Sequence, residues 1–290
     1  VVATAIAALL LGCSTVAQDT PPAGEPSSHV AATADFGGEV LLEARVPPGQ
    51  SVMRSLRGAT PVETSFGGGF VEEMLGRKSN PSAQRDWFYW VDGVLAAVGA
   101  RDRELNDGEE AWWDYRDWSA LTDVWAVVGQ WPAPFVASGA PDRKVFVDEP
   151  LEQPRVAAGA EVSSDRRAPY RVRVGSHTDL LEADSAWARA SADPTRAGLT
   201  VAIENGRVTA LAPSGEGRSP VPGARALAVA FPSRSAPEDG VVMVVAGLDR
   251  KSARLAANTI AERPEVLRLR FAVPFDGAGE PVGISTGAES

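Results

Sequence analysis

The sequence has few residues that could build a redox or metal centre. It contains one cysteine, so no intrachain disulfide can form, and two histidines, which leave few ligands for zinc. Basic residues are also in the minority, because 28 lysines and arginines stand against 38 acidic residues and give a formal net charge of -10. A nucleic-acid partner requires a basic surface that displaces phosphate counterions. We therefore expect no disulfide, no metal site and no nucleic-acid partner.

The remaining composition is typical of a folded protein. Hydrophobic residues make up 44% of the chain and charged residues 23%, which excludes collagen-like, coiled-coil and wholly disordered proteins. Domains average about 150 residues, so a chain of 290 residues predicts two domains or one large one.

The single cysteine follows an apolar N-terminal run. Residues 1–11 are too few to span a bilayer, which takes about 20 apolar residues, and they have the length of the apolar part of a signal peptide. The motif LLGC, which ends at Cys13, resembles the lipobox of bacterial lipoproteins, whose cysteine receives a diacylglycerol. This resemblance implies a signal peptide over 1–13, lipidation of Cys13 and a location on the extracytoplasmic face of the cell membrane. The alternative is a buried thiol in an N-terminal helix.

The next segment, 14–36, is rich in proline, serine, alanine and threonine. It has scarcely a large apolar side chain, so it buries too little surface to offset its chain entropy. We therefore predict a flexible tether over these residues and assign no role to His29 within it.

Residues 37–135 have the pattern of a small mixed sheet with one helix and an extension. Glu39–Val46 and Trp87–Val91 are strand-like, and Asp92-Gly93 is a turn signal typical of hairpins. A capped helical segment follows the first strand, and a strand rich in tryptophan closes the sheet.

Three stretches of this segment resemble the transcobalamin C-terminal-like domain, also called the domain-of-unknown-function 4430 family. WFYWVDG at 87–93, LNDGE at 105–109 and AWWDY at 111–115 are similar to the family patterns W-x-x-x-V-N-G, L-x-D-G-D and W-x-Y. Asp92 and Glu109 replace the usual Asn and Asp and keep turn chemistry. The resemblance implies a β-grasp fold.

The same resemblance implies a ligand and a partner. In transcobalamin-like proteins the equivalent domain closes over cobalamin against a helical α/α barrel, so the resemblance implies a corrinoid ligand. This sequence has no run of helices that could form such a barrel. A partner protein with that barrel, or an uptake transporter, would then supply the rest of the site.

Aromatic residues are concentrated in the same segment, because seven of the eight tryptophans lie between residues 87 and 131. Alternation along a strand places neighbouring rings on opposite faces of the sheet. The rings then either pack in the core and against a second domain, stack on a small molecule, or form a protein interface. The candidate ligand-binding residues are Trp87, Tyr89, Trp90, Trp112, Trp113, Tyr115 and Trp118.

The second half of the chain predicts a different domain. Residues 136–168 are rich in proline, alanine, glycine and charge and indicate a connector with one short strand at 144–147. Residues 169–290 alternate strands with helices, and one helix begins after Asp249 and ends before Pro264. The expected fold class is α+β, with an N-terminal β-grasp-like domain followed by a smaller α/β domain.

Candidate catalytic motifs fail on their context. The letters G-x-S-x-G at 283–287 lack the strand and helix that a nucleophile elbow needs, and 102–110 lacks the glycine of a calcium loop. His177 has no partner in the sequence and is interpreted as a surface or capping residue. A local basic cluster is interpreted as a solvated strand face, with lipid phosphates or an acidic partner as alternatives; it comprises Arg166, Arg167, Arg171 and Arg173.

Taken together, these patterns predict a non-catalytic, lipid-anchored protein that binds a ligand, with a corrinoid as the ligand that the resemblance implies. The chain has no catalytic residues and no cofactor in this interpretation. The alternative function is a structural or adhesive surface module that contacts other proteins. The absence of internal repeats favours the first function over the second.

Overall fold

A computed structural model describes residues 25–121, 123–136, 143–151, 161–213, 217–234 and 237–284. The predicted signal peptide, Cys13 and residues 14–24 of the predicted tether lie outside these residues, as does the end of the 283–287 motif. No helix in this described part combines the length and the apolar composition that crossing a membrane requires.

The described residues of the first half form ten strands and one helix. In chain order they are β1 (Ser28–Ala34), β2 (Glu39–Val46), β3 (Gln50–Ser51), α1 (Val52–Ala59), β4 (Val62–Ser65), β5 (Phe70–Met74), β6 (Arg77–Lys78), β7 (Arg85–Val91), β8 (Val94–Leu95), β9 (Glu104–Leu105) and β10 (Glu110–Asp117). Short 3-10 turns cover Phe66–Gly68 and Pro81–Ala83.

Five of these strands form the main sheet of the first half, in the order β2-β1-β10-β7-β8. The central pair, β1 and β10, is parallel, and the other pairs are antiparallel. Helix α1 packs its buried side, which includes Val52 and Leu56, against one face of this sheet. The predicted mixed sheet with one helix is therefore present.

The tight turn between β7 and β8 is also present. Asp92 and Gly93 have φ angles of 48° and 81°, so both lie in the left-handed region that a two-residue hairpin turn requires. The partner strand β8 is short and ends at Leu95.

The predicted tether is wrong for residues 28–34. These residues form β1, which lies between β2 and β10 in the middle of the sheet. Its alanines at 31, 32 and 34 are 0% exposed. Small side chains suit a central strand that is covered on both faces. The same small residues give this stretch the composition of a tether, so the sequence did not predict the strand.

The described residues of the second half form nine strands and three helices. In chain order they are β11 (Lys144–Val147), β12 (Glu161–Val162), β13 (Tyr170–Ser176), α2 (His177–Ala183), α3 (Ser185–Ala192), β14 (Val201–Glu204), β15 (Arg207–Leu211), β16 (Arg218–Pro220), β17 (Ala224–Pro232), β18 (Val241–Gly247), α4 (Arg250–Glu262) and β19 (Ala272–Asp276). Short 3-10 turns cover Pro237–Asp239 and Pro264–Leu267.

The main sheet of the second half has six strands in the order β12-β11-β13-β18-β17-β19. Strands β12, β11, β13 and β18 run parallel, and β17 and β19 are antiparallel additions. Helix α4 covers one face, and α2 and α3 cover the other. Two predictions need correction: β11 and β12 belong to this sheet although they lie in the predicted connector, and the second half is not the smaller one.

The two halves share a hydrophobic core. Leu269 and Phe271, from the segment before β19, are buried against the outer face of the first sheet with Trp90 and Trp112. Both halves mix helices with strands, so the predicted α+β class is confirmed.

Candidate functional site

Six of the seven aromatic residues predicted to bind a ligand are buried. Their exposed fractions are 0% for Trp90 and Trp112, 2% for Trp113, 7% for Trp87, and 8% for Tyr89 and Tyr115. Trp118 is half-buried. The six buried rings offer no open face to a ligand, which corrects the prediction that they form a binding surface.

Four of these rings form the core under α1. The rings of Tyr89 and Trp113 stack with centroids 4.7 Å apart, and those of Trp87 and Tyr115 are 5.2 Å apart. The Tyr89 hydroxyl donates to the carbonyl of Val98 at 2.6 Å, and burial raises the pKa of Tyr89 to about 12. These aromatics therefore stabilise the sheet.

The other two rings connect the halves of the molecule. Trp90 and Trp112 each lie 5.0 Å from the ring of Phe271, in edge-to-face geometry. The Trp90 indole N–H donates to the carbonyl of Val124 at 2.8 Å, which leaves no polar atom of this ring unsatisfied. Interdomain packing, one of the alternatives left open by the sequence, is confirmed for this pair.

A buried carboxyl lies beside this interdomain core. Asp114 is 0% exposed and accepts hydrogen bonds from the Thr33 hydroxyl at 2.6 Å and from the backbone N–H groups of Phe36 and Gly37 at 3.1 Å. Burial nevertheless outweighs these donors and raises the pKa of Asp114 to about 6. The guanidinium of Arg116 stacks 4.1 Å from the Phe88 ring centroid.

The raised pKa of Asp114 predicts a pH dependence of stability. The unfolded carboxyl loses its proton near pH 4, whereas the folded one keeps it until about pH 6, so the folded state binds more protons in this window. The stabilising contribution of the protonated form is complete below about pH 4 and is lost as pH rises through about 6. The free energy of unfolding should therefore fall as pH rises, and Asp114→Asn should remove the part of this fall that Asp114 causes, on the order of 3 kcal/mol.

Urea unfolding of the wild-type protein and of Asp114→Asn across this pH range measures the effect. The exposed Asp239 provides the matched control, because Asp239→Asn should leave the decline unchanged. If the free energy of unfolding changed with pH in the same way for the wild type and Asp114→Asn, the prediction would be contradicted.

The predicted basic cluster is divided, because Arg166 and Arg167 are exposed whereas Arg171 and Arg173 are buried. Arg171 and Arg173 are 5% and 1% exposed, and both hold the carboxylate of the buried Asp184. Arg173 and Arg166 also contact Asp148. The alternation of arginine with valine along β13 suggested a solvated face, but that face is covered by α2 and α3.

The two histidines have structural surroundings. His177 is the first residue of α2, and its half-buried ring meets the Trp187 ring edge-to-face at 5.6 Å. Burial lowers the pKa of His177. Ser176, not His177, caps the helix, and His29 lies in β1 rather than in a tether.

An interdomain cavity of about 420 Å³, the apolar pocket, lies between Phe36 of the first half and the β19 region of the second. Its walls are mainly apolar, and two arginines converge on it. The principal lining residues are Phe36, Leu211, Val266, Arg268, Arg270, Pro274 and Val282.

The two arginines of the apolar pocket differ in their partners. Arg268 contacts the carboxylates of Glu43 at 2.8 Å and Glu110 at 2.6 Å, which joins both halves and raises its pKa above the usual value although burial opposes this. Arg270 donates to the carbonyl of Gly37 at 3.1 Å, and no carboxylate of the described residues lies within ion-pair distance of it. Arg270 therefore remains able to pair with a ligand.

A wider opening of about 710 Å³, the polar cleft, lies on the other side of Arg268. Gln130 shapes it by accepting from the Gly93 N–H at 2.7 Å and donating to the Glu110 carbonyl at 2.8 Å. Burial raises the pKa of Asp92 in its wall to about 6. No group of three His, Cys, Asp or Glu residues in the described part of the chain is arranged to hold a metal ion.

Sequence patterns did not identify the apolar pocket. Its lining residues are far apart in the chain, and Phe36 lies at the end of the segment predicted as a tether. One signal was present, because Arg268 and Arg270 alternate with Leu269 and Phe271 before a strand. Such alternation predicts two residue faces, but not that the apolar face packs on another domain.

Comparison with known proteins identifies the family of one segment. Residues 49–117 match a family described as Domain of unknown function (DUF4430). The match lies inside the segment that resembles this family in the sequence, so the resemblance is confirmed there. No curated protein matches the chain.

The alignment with one solved structure covers 32% of this chain and 98% of the chain in that structure. The sequence identity is 14% and the TM-score is 0.25. This structure is the crystal structure of a candidate metal-binding protein from Ruminococcus gnavus ATCC 29149. A TM-score at this level supports no conclusion about the present chain.

Proposed function

We propose that this chain is a lipid-anchored, extracytoplasmic protein that binds a small molecule in the apolar pocket and performs no catalysis. The observation that supports this most directly is the pocket itself, which combines apolar walls from both halves with the guanidinium of Arg270. Ligand sites in proteins are typically concave, mainly apolar and equipped with a few oriented polar groups.

The lining of the apolar pocket favours an amphipathic ligand. An apolar body would contact Phe36, Val266 and Val282, and a carboxylate, phosphate or carbonyl oxygen would accept from Arg270. Asp35 also lines the pocket, but it already pairs with Arg85, which reduces its repulsion of an anionic ligand group. The described lining residues include no Ser, Cys, His, Lys or Tyr, and the pocket's groups able to act as a base or nucleophile are Asp35, Thr200 and Glu265, which favours binding over catalysis.

A corrinoid is the first compound to test, because the matched family segment resembles the transcobalamin C-terminal-like domain. The buried rings cannot supply the contact, so a corrinoid would have to contact the surface around the interdomain cavities. The described helices have 7 to 13 residues, which is consistent with a barrel-bearing partner or a transporter completing such a site. The anchor at Cys13 and the extracytoplasmic location rest on the lipobox.

The test is calorimetric titration of the full chain carrying Cys13→Ser, which prevents lipidation. The probes are cobalamin, cobinamide and the amphipathic anion 1-anilinonaphthalene-8-sulfonate. Val282→Trp should fill the apolar pocket and abolish binding of the naphthalene probe, and Arg270→Gln should weaken it about tenfold, because a charge-assisted hydrogen bond is lost.

Arg254→Gln is the matched control, because Arg254 is exposed on α4 and lies outside the pocket. Heat with the naphthalene probe but with neither corrinoid would support the pocket and reject a corrinoid for this chain alone. Binding that neither Val282→Trp nor Arg270→Gln changes would overturn the proposal. No heat with any probe would favour the structural or adhesive module.

A further inference from the structure

We infer that the protein has a second binding site, which takes a small planar anion. The site is a cavity of about 530 Å³, termed the basic pocket, where the segment after β10 meets α3 and the end of β17. It shares no lining residue with the apolar pocket. Its main features are the indole of Trp125 and the guanidinium groups of Arg189, Arg196 and Arg234.

The three arginines form no ion pair with an acidic side chain in the described part of the chain, whereas the arginines of β13 hold buried aspartates. Asp123 and Asp193 also line the pocket, but Asp193 accepts the backbone N–H of Arg196 at 3.0 Å. The lining remains net positive in a chain whose formal net charge is -10.

Backbone contacts hold one of these guanidinium groups in place. Arg189 donates to the carbonyl of Ser233 at 2.7 Å and to that of Ser185 at 3.1 Å. These two bonds occupy some of its five N–H donors and leave others for a ligand. Arg189 is therefore fixed at the edge of the pocket before any anion enters.

The aromatic wall of the pocket is available for stacking. The indole of Trp125 is half-buried, and no other aromatic ring of the described residues packs against it. Its backbone carbonyl accepts from the N–H of Leu95 at 2.9 Å, which fixes this part of the chain on the first sheet. Phe231 and Pro232 form the apolar side of the cavity.

This combination selects the chemistry of the ligand. Arginine forks suit the oxygens of carboxylates and phosphates, and an indole suits the face of a flat ring. An anion without a ring would leave the apolar wall unused, and a neutral ring would leave the arginines unused. The geometry therefore favours an aromatic or heteroaromatic ring that carries a carboxylate or a phosphate.

Phenyl phosphate is the probe for this site, with inorganic phosphate and phenol as its two fragments. Titration of the full chain carrying Cys13→Ser, followed by calorimetry and tryptophan fluorescence, should show saturable binding about tenfold or more tighter than that of either fragment. The double variant Arg196→Gln/Arg234→Gln should reduce the affinity for phenyl phosphate by about tenfold or more. Trp125→Phe keeps an aromatic ring in place and should remove the fluorescence change.

Two controls make the result specific. Arg207→Gln changes an exposed arginine outside the basic pocket and should leave the affinity within about twofold. Val282→Trp fills the apolar pocket and should leave phenyl phosphate binding unchanged, so failure of one site is distinguishable from failure of the other. Equal affinity for phosphate and phenyl phosphate, no saturable binding, or an equal loss in Arg207→Gln would each overturn the inference.

Discussion

Replacing Asp184 with alanine is expected to reduce the free energy of unfolding by about 3 to 5 kcal/mol. The Asp184 side chain is 1% exposed and receives two hydrogen bonds from Arg171, at 2.6 and 2.7 Å, and one from Arg173 at 3.1 Å. Without this carboxylate, the buried guanidinium of Arg171 loses its counterion, whereas that of Arg173 keeps Asp148. Desolvated charges without partners are among the most destabilising changes in a protein interior.

Asp184 has a second role that adds to this loss. It is the N-cap of α3 and accepts from the backbone N–H groups of Ala186 and Trp187 at 3.0 and 3.2 Å. Although burial opposes it, the contacts with Arg171 lower the pKa of Asp184, so the carboxylate stays charged near neutral pH. Losing an N-cap usually costs about 1 kcal/mol on its own.

Denaturant unfolding followed by tryptophan fluorescence measures the effect of Asp184→Ala. The matched control is Asp179→Ala, because Asp179 forms an exposed ion pair with Arg250 at 2.5 Å, and exposed pairs contribute about 0 to 1 kcal/mol. If the two variants lost similar stability, the buried arginines would not depend on Asp184.

The second large effect is expected for Gly129→Ala, at the contact between the two halves. A Cβ atom on Gly129 would lie 2.5 Å from the backbone nitrogen of Arg270 and 2.7 Å from the Trp112 ring. Neither group can move freely, because Trp112 is 0% exposed and the N–H of Leu269 donates to the Gly129 carbonyl at 3.0 Å. We expect a loss of about 3 kcal/mol, at the upper end of overpacking effects.

Gly58→Ala is the control for this substitution. Gly58 lies in α1, and no atom would come within 4 Å of the added Cβ. Because alanine favours a helix more than glycine, Gly58→Ala should stabilise the protein by about 0.5 to 1 kcal/mol. Thermal unfolding of both variants tests the pair, and a Gly129→Ala protein as stable as the wild type would show that the two halves are not closely packed there.

Local features of the fold were predictable because their causes are local. The Asp92-Gly93 turn needs left-handed backbone angles that these two residue types adopt readily, and the structure has them. The helix predicted after Asp249 begins there, and the Asp249 carboxylate caps it by accepting from the N–H of Ser252 at 2.8 Å. Each of these features depends on residues within a few positions of one another.

Features that depend on distant contacts were not predictable in the same way. Strand β1 has the composition of a tether and becomes a strand only because β2 and β10 flank it. The alternation of Arg171 and Arg173 was visible, but their burial depends on Asp148 and Asp184 from other elements. The interdomain cavities have the same origin, since no short sequence window contains their walls.

The position of β1 has a mechanical consequence. A pull on the N-terminal end of the chain, such as a membrane anchor at Cys13 would exert, acts along a strand that is bonded to β2 on one side and to β10 on the other. Shearing a central strand strains both ladders at once, whereas peeling an edge strand such as β19 opens its bonds one after another. Tension applied through the N-terminal end would therefore load two ladders of the first sheet at once.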